Sequence, residues 1–324
     1  HIKIQILTIF MWQSKNKLMR FAIIAPPVPT QKWKENFEKI APHIPLVIGL
    51  DNEYAEEVVC AMVWKQPRGA LNNFKNLKLI FSMGAGVDHI LSDDTIPKNI
   101  PVCRVIDPQM AFSMSNYIMM AILNYHRSWY EFQEAQRKKH WAQFEFIERP
   151  LKVGVLGIGH LGMDAAKKIH DMGFPVIGYS NSKKDTIFPS YYGNEFEEFL
   201  SQINVLVCTV PYTNKTHGML NYSLFEKFSE PTYLINVSRG NVQIEKDIIK
   251  ALDKGLLSGA FLDVFEEEPL PKNSPLWLHP KVKLTPHIAS LTYPKESTFQ
   301  VLNCFERLEK GLDLPHQVSR EKMY

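Results

Sequence analysis

Short runs of apolar residues alternate along the chain with longer stretches in which apolar positions recur at helical spacing. The short runs, bounded by turn residues, read as buried strands, and the periodic stretches as helices that cover parallel sheets. Two series of strands emerge. The first comprises 21–25, 46–48, 61–64, 77–81 and 102–106; the second comprises 152–156, 175–179, 204–210, 232–237, 259–264 and 282–285. Between them, 113–141 carries Ile118, Met119, Ile122, Leu123 and Trp129 at helical spacing and is expected to form one long connecting helix. Methionines 110, 114, 119 and 120 read as packing residues, because a flexible thioether fills irregular gaps. A last periodic stretch, 295–311, is expected to return to the first domain. The pattern therefore predicts an α/β fold of two doubly wound parallel-sheet domains. One is discontinuous, 19–112 with 288–324, and the other spans 113–287.

Composition narrows the class of partner. A chain of 324 residues accommodates two packed domains, and a net charge of +3 is too small for a nucleic-acid footprint. The basic runs at 137–140 and 183–184 are too short to change that reading. Cys60, Cys103, Cys208 and Cys304 are scattered without paired spacing, so neither a disulfide framework nor a metal site is expected, and a cytoplasmic location fits best. The apolar stretch from Ile2 to Trp12 is broken by Lys3 and Gln5 and lacks a small-residue cleavage site. It is expected to be neither a signal peptide nor a membrane span. Residues 1–18 read as an N-terminal extension ahead of the first strand.

The strand at 152–156 runs directly into Gly157-Ile158-Gly159-His160-Leu161-Gly162 and then into a helical pattern. That is the context a dinucleotide fingerprint requires. Gly157 permits the tight turn, Gly159 admits a pyrophosphate, and Gly162 lets the helix pack close, with the N–H groups at His160 and Leu161 facing the anion. Sites that bind NAD place an acid at the end of the second strand to bond the ribose 2'-hydroxyl. Here Ser180, Asn181, Ser182 and Lys183 stand there instead. Hydroxyls, an amide and a lysine suit a 2'-phosphate that a carboxylate would repel, so NADPH is expected in preference to NADH. Val210-Pro211, Val237-Ser238-Arg239, Asp263 and His287 each close a successive expected strand, at the edge where open α/β sheets bind ligands. Taken singly, Arg239 reads as a surface ion-pair residue and His287 as a solvated loop histidine. Taken together they describe one site.

Asn236-Val237-Ser238-Arg239-Gly240, Leu262-Asp263-Val264-Phe265-Glu266-Glu267-Glu268-Pro269-Leu270 and Thr285-Pro286-His287-Ile288-Ala289 form a series that resembles the D-isomer-specific 2-hydroxyacid dehydrogenases. The likeness spans nearly the whole chain. Gly84-Ala85-Gly86-Val87-Asp88 resembles that family's substrate-carboxylate loop, and Pro211-Tyr212-Thr213 with Thr216 its cofactor segment. Within the family, Val63-Trp64 and Ser274-Pro275-Leu276-Trp277 bring the chain nearest the glyoxylate/hydroxypyruvate reductases. The resemblance implies two Rossmann-like domains, the discontinuous one binding substrate and the other the dinucleotide. It also implies an active site in the cleft between them, a homodimer, and a small 2-oxoacid as substrate. Reduction of a 2-oxoacid needs a proton donor beside the carbonyl oxygen, a role that suits the imidazole of His287. By resemblance Glu268 supplies the carboxylate that favours the imidazolium, while Glu266 and Glu267 read as solvated neighbours. Arg239 can hold the substrate carboxylate through its planar fork, and backbone N–H groups around Gly84, Ala85 and Gly86 complete the anion site. Trp64 and Met110 are candidates for the pocket wall.

Other members of the family fit less well. The resemblance gives formate dehydrogenases a glutamine where Glu268 stands, lactate enzymes an acid where Ser180 stands, and many phosphoglycerate enzymes a regulatory domain after the segment that follows His287. A nucleotide-sensing binding protein on the same fold has no need of a complete Arg-Glu-His set.

Overall fold

The computed structural model describes residues 19–324 apart from Pro27, Asn52 and Ile147. The extension expected over 1–18 lies outside the described residues. The chain divides into two compact units, one running through Asp107 and taking in Thr292–Tyr324, the other Pro108–Leu291.

The first unit is built on a parallel sheet of β1 (Arg20–Ile24), β2 (Leu46–Ile48), β3 (Val58–Val63), β4 (Leu79–Ser82) and β5 (Val102–Arg104), in the order β2-β1-β3-β4-β5. Every residue of β3 and β4 is buried, which is why these strands read as unbroken apolar runs. Helices Gln31–Ile40 and Pro294–Glu309 pack together over this sheet. Phe37 and Phe305 meet Phe21 there, with ring centroids 5.5 and 5.0 Å away. Trp64 follows β3 and Gly84 follows β4 closely, so both stand at the carboxyl edge.

The second unit holds β6 (Val153–Leu156), β7 (Val176–Ser180), β8 (Ser190–Tyr192), β9 (Val205–Cys208), β10 (Thr232–Asn236), β11 (Leu257–Leu262) and β12 (Val282–Leu284). Their order is β12-β11-β10-β9-β6-β7-β8 and every pairing is parallel. The order reverses at β6, so the topological switch point lies between β6 and β9, where an open sheet of this kind accepts a ligand. Strand β8 was not predicted: it is a three-residue edge strand with no fully buried position, and so leaves no apolar run to detect.

The single helix expected over 113–141 is in fact two, Pro108–His126 and Trp129–Arg137, separated at Ser128, whose φ of 51° is left-handed. Arg149 holds the break. One of its nitrogens donates to the Tyr125 carbonyl and to the Ser128 hydroxyl, and the other to Glu131 at 2.7 Å. The first of these bonds reinforces the Tyr125 carbonyl, which also accepts the Ser128 N–H at 3.3 Å where the helix ends. Met110, Met114 and Met119 are buried, as packing residues should be, whereas Met120 is exposed. Among the described residues no helix is long and apolar enough to cross a membrane.

Candidate active site

The glycine loop leaves β6 at the switch point. Gly157 has a φ of 101°, and a Cβ placed on it would lie 2.9 Å from the Val210 nitrogen. A Cβ on Gly162 would lie 2.2 Å from the Gly157 carbonyl oxygen. These two glycines therefore let helix His160–Asp171, strand β6 and the start of the 210 loop pack closely. Gly159 is different, because a Cβ there would meet nothing within 4 Å. Open space beside a backbone at the N-terminus of a twelve-residue helix is the cradle that a pyrophosphate needs. His160 is exposed and Leu161 half-buried at that mouth.

Arg239, Glu268 and His287 lie on the segments that follow β10, β11 and β12. Nδ1 of His287 lies 2.9 Å from Oε2 of Glu268 and 3.1 Å from Oε1, and both side chains keep partial exposure. With Nδ1–H donating to the carboxylate, Nε2 is the nitrogen left to exchange a proton with a ligand. Glu268 is itself held, since its Oε1 accepts the Phe265 N–H at 3.2 Å. Arg239 is half-buried, one guanidinium nitrogen donating to the Ser238 carbonyl at 2.7 Å. The residue after it explains the placement of this loop. A Cβ on Gly240 would lie 1.7 Å from the Phe265 carbonyl oxygen, so only glycine lets the Arg239 loop cross the backbone that leads to Glu268.

Asp263 organises the histidine loop. Its carboxylate accepts the Thr285 hydroxyl at 2.6 Å and the N–H groups of Ile288 and Ala289 at 2.9 and 2.8 Å. Its carbonyl accepts the His287 N–H at 2.8 Å. Burial pushes the Asp263 carboxyl above its ordinary range, while the hydroxyl, the two N–H groups and the nearby imidazole oppose that shift. Tyr117 extends the chain of bonds through its hydroxyl to Thr285. Sequence reasoning missed this contribution. Tyr117 and Thr285 are 168 positions apart, and only the place of Thr285 two residues before His287 hinted at a role.

Other residues singled out in the sequence are differently placed. Ser180 closes β7, but its hydroxyl donates to the Ser182 carbonyl at 2.7 Å, and Asn181, Ser182 and Lys183 are exposed. The Thr216 hydroxyl donates to the Pro211 carbonyl at 2.7 Å and fastens the turn that follows β9. The Ser238 hydroxyl is buried and donates to Asn236 at 2.8 Å, and Asn236 in turn donates to Gln243. Val210 and Val237 are buried, while Pro211 is exposed. In the first unit, Trp64 and the 84–86 loop come together, for a Cβ on Gly84 would lie 2.3 Å from the indole. The buried Met110 accepts the Ser290 hydroxyl on its carbonyl, a bond within the second unit. Among the described residues no group of His, Cys, Asp and Glu could hold a metal ion.

Residues 119–289 match the model of the D-isomer specific 2-hydroxyacid dehydrogenase, NAD binding domain. A glyoxylate/hydroxypyruvate reductase A of Enterobacter sp. (strain 638) is 38% identical over 284 residues, covering 85% of this chain and 89% of that protein. A D-isomer specific 2-hydroxyacid dehydrogenase from Xanthobacter autotrophicus Py2, solved with NADPH and MES, superposes with a TM-score of 0.88. It is 33% identical, over 94% of this chain and 99% of its own. An NADPH-dependent glyoxylate/hydroxypyruvate reductase from Sinorhizobium meliloti, solved with NADP and sulfate, gives the same TM-score at 32% identity, over 94% and 100% of the two chains. A family model matched over more than half of the sequence, and relatives above 30% identity over most of it, make this chain a member of the D-isomer specific 2-hydroxyacid dehydrogenases.

Proposed function

We propose that this chain reduces small 2-oxoacids, glyoxylate to glycolate and hydroxypyruvate to D-glycerate, with NADPH as the reductant. The observation that carries the reading is the His287–Glu268 pair at 2.9 Å, held beside the loop of Arg239. The names of the relatives support the substrate class and coenzyme. Bound NADPH supplies a hydride to the carbonyl carbon. His287 delivers a proton from Nε2 to the carbonyl oxygen as negative charge develops there, and Glu268 stabilises the imidazolium before transfer. Arg239 holds the substrate carboxylate and polarises the carbonyl.

The coenzyme is assigned to the glycine loop, with Gly157, Gly159, His160, Leu161 and Gly162 around the pyrophosphate and Ser180, Asn181, Ser182 and Lys183 at the 2'-phosphate. For Ser180 to donate to that phosphate, its internal bond to Ser182 must exchange. Val210, Pro211, Thr216, Val237, Ser238 and Asp263 line the rest of the coenzyme site; the Thr216 and Ser238 hydroxyls act there by shaping backbone. Trp64, Gly84, Ala85 and Gly86 serve the substrate. Pro108–Leu291 is accordingly the dinucleotide-binding unit and the other the substrate-binding unit.

The same reading includes a homodimer. Trp141 and Phe144, three positions apart, are each 86% exposed, and bare aromatic side chains of this kind suit a subunit interface. Sedimentation equilibrium should give twice the chain mass, and Trp141→Ser should weaken the association. The cytoplasm is the proposed compartment, in keeping with four free, buried thiols.

The function is tested by following NADPH and NADH oxidation with glyoxylate, hydroxypyruvate, pyruvate and phosphohydroxypyruvate. Glyoxylate and hydroxypyruvate with NADPH should give the highest kcat/KM. A preference for pyruvate or phosphohydroxypyruvate, or no turnover of any, contradicts the proposal.

A further inference from the structure

Arg104 closes β5 directly opposite Ser82 on β4, and both side chains reach the loop that follows β4. Arg104 Nη1 donates to the Ala85 carbonyl at 3.1 Å, and the Ser82 hydroxyl donates to the Gly86 carbonyl at 2.6 Å. A trans peptide holds its C=O and N–H on opposite sides. With the carbonyls of Ala85 and Gly86 drawn toward Arg104 and Ser82, the N–H groups of Gly86 and Val87 face the other way. Among the described residues neither N–H donates to any group.

The charge of Arg104 is equally unmatched. The guanidinium is partly buried, burial lowers its pKa, and no described carboxylate acts on it in return. A partly desolvated cation without a counter-ion is costly until an anion arrives. N–H groups without an acceptor on the loop and a cation behind it both favour an anion at this place, and a carboxylate can accept from two neighbouring backbone N–H groups.

We propose that Arg104 is a positioning residue for the substrate carboxylate. It turns the N–H groups of Gly86 and Val87 toward the carboxylate, and it supplies positive charge behind the loop. This rests on the proposed role of the 84–86 loop in substrate binding. Arg104 is not expected to touch the coenzyme or to take part in proton transfer, so its loss should act on substrate affinity.

Steady-state kinetics of Arg104→Met, Arg104→Gln and Arg104→Lys with glyoxylate, at saturating NADPH, test the idea. Arg104→Met should raise KM for glyoxylate by about tenfold to a hundredfold, the loss expected for a charge-assisted contact. Its kcat should stay within about threefold and its KM for NADPH should not move. Arg104→Lys, which keeps the charge and a donor, should recover part of the KM, and Arg104→Gln less. A merely structural arginine would instead lower kcat and coenzyme affinity together, with no recovery by lysine. That outcome, or an unchanged KM in Arg104→Met, overturns the proposal. Should the methionine variant fail to fold, the Lys and Gln variants decide: equal KM values for the two overturn it. Absence of 2-oxoacid turnover in the wild type refutes the function reading as well, and is seen before any variant is made.

Discussion

His287 adopts a φ of 54°, a region that a residue with a side chain enters at a cost of about 1–3 kcal/mol. Asp263 offsets that strain by accepting N–H groups from His287, Ile288 and Ala289, which aims the imidazole at Glu268. Glu268→Gln preserves the size of the partner and removes its charge. The hydrogen bond that orients the imidazole loses its charged acceptor, so kcat for glyoxylate reduction should fall by about tenfold or more while KM for NADPH stays put. Steady-state kinetics check this, and an unchanged kcat would assign the orienting role to another group. At the other end of the site, Ser180→Asp introduces a carboxylate that repels a 2'-phosphate and accepts from a free 2'-hydroxyl. The ratio of kcat/KM for NADPH over NADH should fall sharply or reverse. Lys183→Ala should weaken NADPH alone, most at low ionic strength, where an exposed charge is least screened. If neither substitution alters the ratio, this loop does not read the phosphate.

At the scale of elements, the site depends on loops that cross without side chains between them. Gly240→Ala would drive a Cβ into the Phe265 carbonyl, a backbone atom that cannot swing aside, and so separate the Arg239 loop from the segment carrying Glu268. Misplacement of about 1 Å can cost about a hundredfold in rate. We expect a loss of that order in kcat/KM for glyoxylate, and a near-normal variant would show that the two loops act independently. Such crossings explain what the sequence could and could not disclose. The glycine loop was legible because strand, glycines and helix are contiguous from 153 to 171, and the strand cores were legible because buried parallel strands are apolar throughout. The break at Ser128 was not, since it depends on Arg149 reaching back across 21 positions of chain. Thr216 and Ser238 were recognisable as motif positions, yet their hydroxyl bonds to Pro211 and Asn236 are set by how the turns close. Tyr117 and Arg104 carried no signal, because their roles exist only once distant segments meet.

At the scale of the whole molecule, both units present their candidate residues at the carboxyl ends of parallel strands: Trp64 and the 84–86 loop on one sheet, and the segments after β6, β7, β9, β10, β11 and β12 on the other. In the reading proposed above, the proton for 2-oxoacid reduction is drawn from His287. NADPH oxidation by glyoxylate, compared in the wild type and in His287→Ala, tests it most directly. The wild type should turn over steadily, the variant should lose about a hundredfold to ten-thousandfold in rate, and both should bind NADPH with nearly equal affinity. An inactive wild type, or a variant that turns over as fast as the wild type, would contradict it.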